Sequence, residues 1–145
     1  MTDRPDLAAM IVPLGRNLMA AEQPVLAAHG LTMWAYVVLL RLDETITRGQ
    51  GVLAQEIGAD KTRIIVVLDD LQDRGLIERR PDPADRRARL LALTPEGRAV
   101  RDAAQAEIQS QEDRLLAKLP AADRRGFLNA LLTLAALPRN EITGE

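Results

Sequence analysis

The chain of 145 residues has no cysteine, one histidine and two lysines, Lys61 and Lys118. The missing cysteine removes disulfides, thiolate metal sites and cysteine redox sensing together. With His29 as the only histidine, metal sensing through several imidazoles is excluded as well. A lone His just before a helix-ending glycine reads as a C-terminal cap or dipole partner rather than a ligand. No metal and no cofactor are expected. Met1 is followed by Thr2, Asp3 and Arg4, which is not the order of a secretory signal. Apolar stretches such as residues 128–137 are short and interrupted, far below the ~20 residues of a membrane span. There is no internal repeat, no phosphate-cradling glycine loop and no nucleophile near the histidine, so no enzyme is expected. One compact, soluble, cytoplasmic domain without a membrane partner is the expectation.

The formal net charge is −2, which does not announce a nucleic-acid binder. Net charge averages over faces, however, and phosphate affinity depends on where the cations sit. Seventeen of the 19 basic residues are arginine, whose planar fork suits phosphates and base edges. Codon usage produces the same skew, so position carries more weight than the count.

Leu7, Met10, Ile11, Leu14 and Leu18 recur at helical spacing and predict a first helix, with Pro13 kinking it. Pro24 either ends that helix or opens a second segment that stops at Gly30. Thr32 caps a helix over 33–43, and the polar stretch 44–51 reads as a connection. A short helix over 52–57 is broken by Gly58. A longer one follows over 61–73, capped by Asp60, with Ile64, Val67, Leu68 and Leu71 on its inward face. Two helices around a glycine turn make a helix-turn-helix candidate. Two strand-like runs, 76–80 and 89–93, enclose the turn-rich loop 81–88, and a hairpin in that place is a wing. Thr94, Pro95 and Glu96 then open a helix that runs to about Lys118. After Pro120, residues 123–137 form a last helix with Phe127, Leu128, Leu131 and Leu134 facing in. The fold class is mainly α (α+β): a winged helix-turn-helix of about six helices with one two-stranded β-hairpin wing.

The segment Gly75-Leu76-Ile77-Glu78-Arg79-Arg80, continued by Asp82-Pro83-Ala84-Asp85-Arg86-Arg87 and Leu93-Thr94-Pro95-Glu96-Gly97, resembles the MarR family of bacterial regulators. Gly30-Leu31-Thr32 and Leu53-Ala54 match two weaker landmarks of that family. The resemblance covers residues 29–100 well and the flanking helices by pattern. It implies a single MarR-like domain over 1–145, with residues 30–95 as the DNA-binding part. Residues 1–29 and 96–145 are then a helical dimerisation part contributed by both termini. The implied function is a sequence-specific double-stranded-DNA-binding regulator: a homodimeric repressor released by a small aromatic or anionic effector. The recognition helix departs from the pattern, because the family's usual Thr-Arg pair falls on Ile65 and Val66.

The DNA-contact candidates are Lys61, Thr62, Arg63, Val66, Asp85, Arg86 and Arg87. Arg63 is the candidate for a guanine edge and Val66 for a thymine methyl. Lys61 and Thr62, at a helix N-terminus, suit phosphates. A solvated helix arginine is the ordinary reading of Arg63, and its place before a wing reverses that preference. By resemblance, Asp85 orients Arg87 and Arg87 enters the minor groove. Arg79, Arg80, Arg86, Arg87 and Arg89 outnumber Asp82 and Asp85, which favours a functional wing over a merely charged loop. Asp69 and Asp73 share the outward helix face and would repel DNA lying flat along it. Trp34 and Tyr36 are core residues by default. The alternative places them, with Arg16 as anion partner, in an effector pocket. A rival to DNA binding remains, a winged-helix protein-interaction module, favoured by the acidic pI of about 5.5 and the apolar Ile65-Val66 pair.

Overall fold

The computed structural model describes residues 3–44 and 48–145, Arg48 by its backbone alone. The elements run α1 (Leu7–Ala28), α2 (Met33–Arg41), β1 (Arg48–Gly49), α3 (Gln50–Ile57), α4 (Lys61–Asp73), β2 (Ile77–Pro81), β3 (Arg89–Leu93), α5 (Pro95–Leu116), α6 (Ala121–Ala135) and α7 (Arg139–Thr143). They group into two compact units, Met1–Ile108 and Gln109–Glu145, and the division falls inside α5. Among the described residues no single helix is long and apolar enough to cross a membrane.

The winged helix-turn-helix expected from the pattern is present, with differences that have local causes. Pro24 neither ends nor divides the first helix, because α1 continues through both Pro13 and Pro24. Each ring removes one i→i−4 bond, and a helix of 22 residues bridges the loss with its remaining bonds. Only the end of α1 enters the core, through Val25 and Leu26, while Leu7, Met10, Ile11 and Leu14 stay exposed. His29 is the C-cap, and its Nε2 lies 2.7 Å from Glu107 Oε2 on α5. The stretch read as a connection contains β1, which pairs antiparallel with β3 (Arg48 opposite Leu91, Gly49 opposite Leu90). Residues 45–47 of that connection lie outside the described residues. The sheet therefore has three strands in the order β1-β3-β2, with the expected hairpin as β2 and β3.

The caps act as their residue types suggest. Thr32 Oγ1 accepts from the Ala35 N–H at 3.1 Å and Asp60 Oδ1 from the Arg63 N–H at 2.7 Å. Between α3 and α4 the chain turns at Gly58, whose φ of +70° is a left-handed conformation that favours glycine. Ile64, Leu68 and Leu71 of α4 are buried, Val67 is half-buried, and they meet Leu26, Val38, Leu39, Leu53, Ile77 and Leu91 in one core. Arg74 closes the far end of α4 by donating to the Gly30 carbonyl at 2.8 Å. Gly97 sits so close to the start of the wing that an added Cβ would lie 2.0 Å from the Leu76 carbonyl oxygen. Thr94 locks this junction. Its hydroxyl donates to the Gly75 carbonyl at 2.7 Å and accepts from the Gly97 N–H at 3.0 Å.

In the second unit the expectation for the last helix is overturned. Phe127, Leu128, Leu131 and Leu134 do not face a core; they are exposed, and α6 holds no buried residue. A unit of 37 residues (109–145) offers α6 no second layer of its own to bury that stripe against.

Candidate nucleic-acid interface

The first turn of α4, the start of α3 and the tip end of the wing surround one concave cleft of about 360 Å³. Lys61 and Ile65 of α4 line one side, Arg87, Ala88 and Arg89 of the wing another, and Gln50 to Val52 of α3 the third. The walls are mostly apolar and the cations stand at the wing and at the helix start. Lys61 and Arg87, two of the residues singled out in the sequence, are thereby brought to one surface. Ile65, Arg89 and Gln50 also line it and were not among the candidates. Arg89 was visible in the wing's charge run. For Ile65 the signal was its place, with Val66, where the Thr-Arg pair common in the resembled family falls. The Gln50 side-chain oxygen is buried there without a hydrogen-bond partner among the described residues.

The other candidates stand at different places around the cleft. Thr62 and Val66 are exposed on α4, Val66 at 66%. Asp85 and Arg86 are exposed on the loop between the wing strands. That loop is built by its own carboxylates. Asp82 Oδ1 accepts from the Ala84 N–H at 2.9 Å, and Asp85 Oδ1 accepts from the Arg87 N–H at 3.0 Å. Asp85 thus holds the backbone of Arg87, and no bond joins its carboxylate to the guanidinium. Arg63 is not in the cleft: its guanidinium carbon lies over the Trp34 ring, 5.5 Å from the centroid.

The arginines divide by partner. Arg79 reaches back from β2 to Asp69 and Gln72 of α4, Arg80 pairs with Glu78, and Arg74 pairs with Asp70. Arg98 is held by Glu44 and Asp102, and its proton is bound more tightly than usual chiefly through the hydrogen bond to Glu44. By contrast, no carboxylate pairs with the side chain of Lys61, Arg63, Arg86, Arg87 or Arg89 among the described residues. The cations around the cleft and wing tip are thus left with free donors.

Of the effector candidates, Tyr36 is buried in the core, Trp34 is half-buried beneath Arg63, and Arg16 is exposed on α1. No hydrogen bond, ion pair or cation–π contact joins Arg16 to either aromatic ring. Among the described residues no group of three or more His, Cys, Asp or Glu side chains could hold a metal ion.

A helix-turn-helix whose second helix and wing share a cation-rimmed cleft defines a winged-helix architecture. The profile described as "MarR family" matches residues 29–88. Over 136 residues the chain is 26% identical to the HTH-type transcriptional repressor Rv2887 of Mycobacterium tuberculosis, covering 94% of this chain and 98% of that protein. It superposes with a TM-score of 0.76 on the transcriptional repressor CouR bound to a 23-mer DNA duplex, at 31% identity over 90% of this chain and 92% of that one. The Rv2887 structure in complex with p-aminosalicylic acid superposes at 0.75, with 26% identity over 91% of this chain and 100% of that one. The chain belongs to the MarR family.

Proposed function

We propose that the chain is a transcriptional repressor that binds double-stranded DNA sequence-specifically as a homodimer and is released by a small-molecule effector. The observation that carries this reading is the convergence of Lys61, Arg87 and Arg89 on one cleft between the α4 start and the wing, with no carboxylate paired to them among the described residues. The CouR relative, bound to a DNA duplex, supports the same reading. Lys61 and Thr62 contact phosphates, Arg63 and Val66 read base edges, Arg87 enters the minor groove from a loop held by Asp85, and Arg86 contacts DNA beside it. Residues 30–95 form the DNA-binding part.

The dimer is supported by apolar faces that one chain leaves uncovered: Leu7, Met10, Ile11 and Leu14 on α1, and Phe127, Leu128, Leu131 and Leu134 on α6. Residues 1–29 and 96–145 make the two-fold interface, which sets two recognition helices about one DNA turn apart, ~34–36 Å. A stable monomer at micromolar concentration in sedimentation refutes it. For the effector, the relative holding p-aminosalicylic acid supports a small aromatic anion. Arg16 and Trp34 are the accessible candidates, since Tyr36 serves the core.

A second reading, a protein-interaction module, is favoured by the exposed apolar pair Ile65 and Val66 at 44% and 66%. Titration against duplex DNA at several salt concentrations decides between them. Log affinity falling steeply and linearly with log salt is the DNA-binding outcome, because each phosphate contact releases counterions. Absent or salt-independent binding selects the interaction module.

A further inference from the structure

We infer that Trp34 is a positioning residue for DNA reading, holding the Arg63 guanidinium by its face so that its N–H donors stay free for a base edge. The inference rests on the proposed role of Arg63. Arg63 is the third residue of α4 and Trp34 the second of α2, so the first turns of these two helices meet at this contact. The guanidinium carbon lies 5.5 Å from the ring centroid, within the ~6 Å reach of a cation–π interaction.

The rest of the local chemistry leaves Arg63 no other anchor. The nearest carboxylate in sequence, Asp60, is spent on the Arg63 backbone N–H at 2.7 Å, and among the described residues no side-chain hydrogen bond or ion pair involves the guanidinium. A carboxylate partner would consume the same fork that reads guanine O6 and N7. An aromatic face attracts the cation without consuming a donor. It also lowers the rotamer freedom that a long side chain must otherwise lose on binding. Trp34 is half-buried while Ala35 and Tyr36 beside it are buried, so part of its ring remains available to the arginine. A tryptophan serving only the core would need no cation over it.

The test uses the full-length protein and a duplex selected by it from random fragments, with a scrambled duplex as reference. Trp34→Phe keeps a π face, and Trp34→Leu keeps apolar bulk without one. The expected result is that Trp34→Leu lowers the ratio of selected to scrambled affinity about 2- to 5-fold. The salt slope should stay unchanged, and Trp34→Phe should retain most of the ratio. In an Arg63→Ala background Trp34→Leu should cost nothing further, because the two act as one unit. Since Trp34 is the only tryptophan, Arg63→Ala should also shift the emission of the free protein. If Arg63→Ala lowers the ratio but Trp34→Leu does not, or if their effects add, the positioning role is overturned while base contact by Arg63 stands. If Arg63→Ala leaves the ratio intact, the base-contact reading falls and this inference falls with it.

Discussion

Gly97→Ala should destabilise the protein by about 2–4 kcal/mol, although the same exchange inside a helix ordinarily stabilises by ~1 kcal/mol. The added Cβ would lie 2.0 Å from the Leu76 carbonyl oxygen, 2.9 Å from its carbon and 2.9 Å from Leu93 Cδ1. The leucine methyl can turn away, but the carbonyl is backbone and accepts from the Thr94 N–H at 3.2 Å. An unstrained carbon–oxygen contact needs roughly 3.3 Å, so α5 and the start of β2 must separate by more than ~1 Å. That movement strains the Thr94 N–H bond to Leu76 and the Thr94 hydroxyl bond to Gly75, each worth ~1 kcal/mol net. Overpacking adds ~1–3 kcal/mol, and the helix propensity of alanine returns ~1. For a chain of this size each kcal/mol moves Tm by ~2–4 °C, giving a fall of roughly 5–15 °C. Thermal melts followed by circular dichroism at fixed protein concentration measure it. Gly126→Ala is the control, because a Cβ there meets nothing within 4 Å in the middle of α6. A Gly97→Ala melt within ~2 °C of the parent would refute the close-approach reasoning.

The wing gives a second expectation. Arg87→Ala should weaken binding to every duplex and reduce the salt slope by about 1 per subunit, whereas Asp85→Asn, which retains the oxygen that accepts from the Arg87 N–H, should preserve the slope. Asp85→Ala should lower affinity less than Arg87→Ala does, read in the same salt series. A third concerns Glu112, whose carboxyl is raised above its ordinary value by burial and then by Asp113 beside it. Between the ordinary and the raised value the folded state binds more protons than the unfolded one, so this group's contribution falls as pH rises through that window. Glu112→Gln should therefore raise Tm at pH 7, with the gain vanishing below the ordinary carboxylate range. A gain that persists at low pH would contradict it.

What could be read from the sequence was what local chemistry determines. Thr32, Asp60 and Thr94 cap where their residue types and the following periodicity place them, because a side-chain oxygen needs only the next turn of backbone to act. The wing was legible for a related reason: its proline, aspartate and strand residues lie within one continuous run. The short strand β1 was not, since two residues become a strand only through pairing with β3, some forty positions away. Periodicity on residues 123–137 signalled an apolar helix face but not its neighbour, and the stripe on α6 lies exposed. In the candidate site the sequence marked the unpaired cations and missed their surroundings. Asp69 meeting Arg79, and Arg63 meeting Trp34, join residues 10 and 29 positions apart across different elements. No pattern along the chain announces such pairs.

The acidic face of α4 bears on how the helix meets DNA. Asp69 and Asp73 suggested repulsion along a groove, yet Asp69 is paired with Arg79 and Asp70 with Arg74, so the middle of the helix is largely neutralised. Among the described residues no side chain neutralises Asp73, but it is the last residue of α4 while Lys61 is the first. At ~1.5 Å of rise per residue the two are separated by ~18 Å along the axis. That is more than twice the ~8 Å screening length at 0.15 M salt. If α4 enters the groove by its N-terminal end, Asp73→Asn should change affinity for duplex DNA by less than ~2-fold at that salt, and Lys61→Ala should weaken it and flatten the salt slope. If the helix instead lies along the groove, Asp73 is within reach of phosphates, and Asp73→Asn should tighten binding severalfold with a steeper slope. Parallel titrations of the two variants separate the geometries, and a tightening for Asp73→Asn comparable to the loss for Lys61→Ala would refute end-on entry.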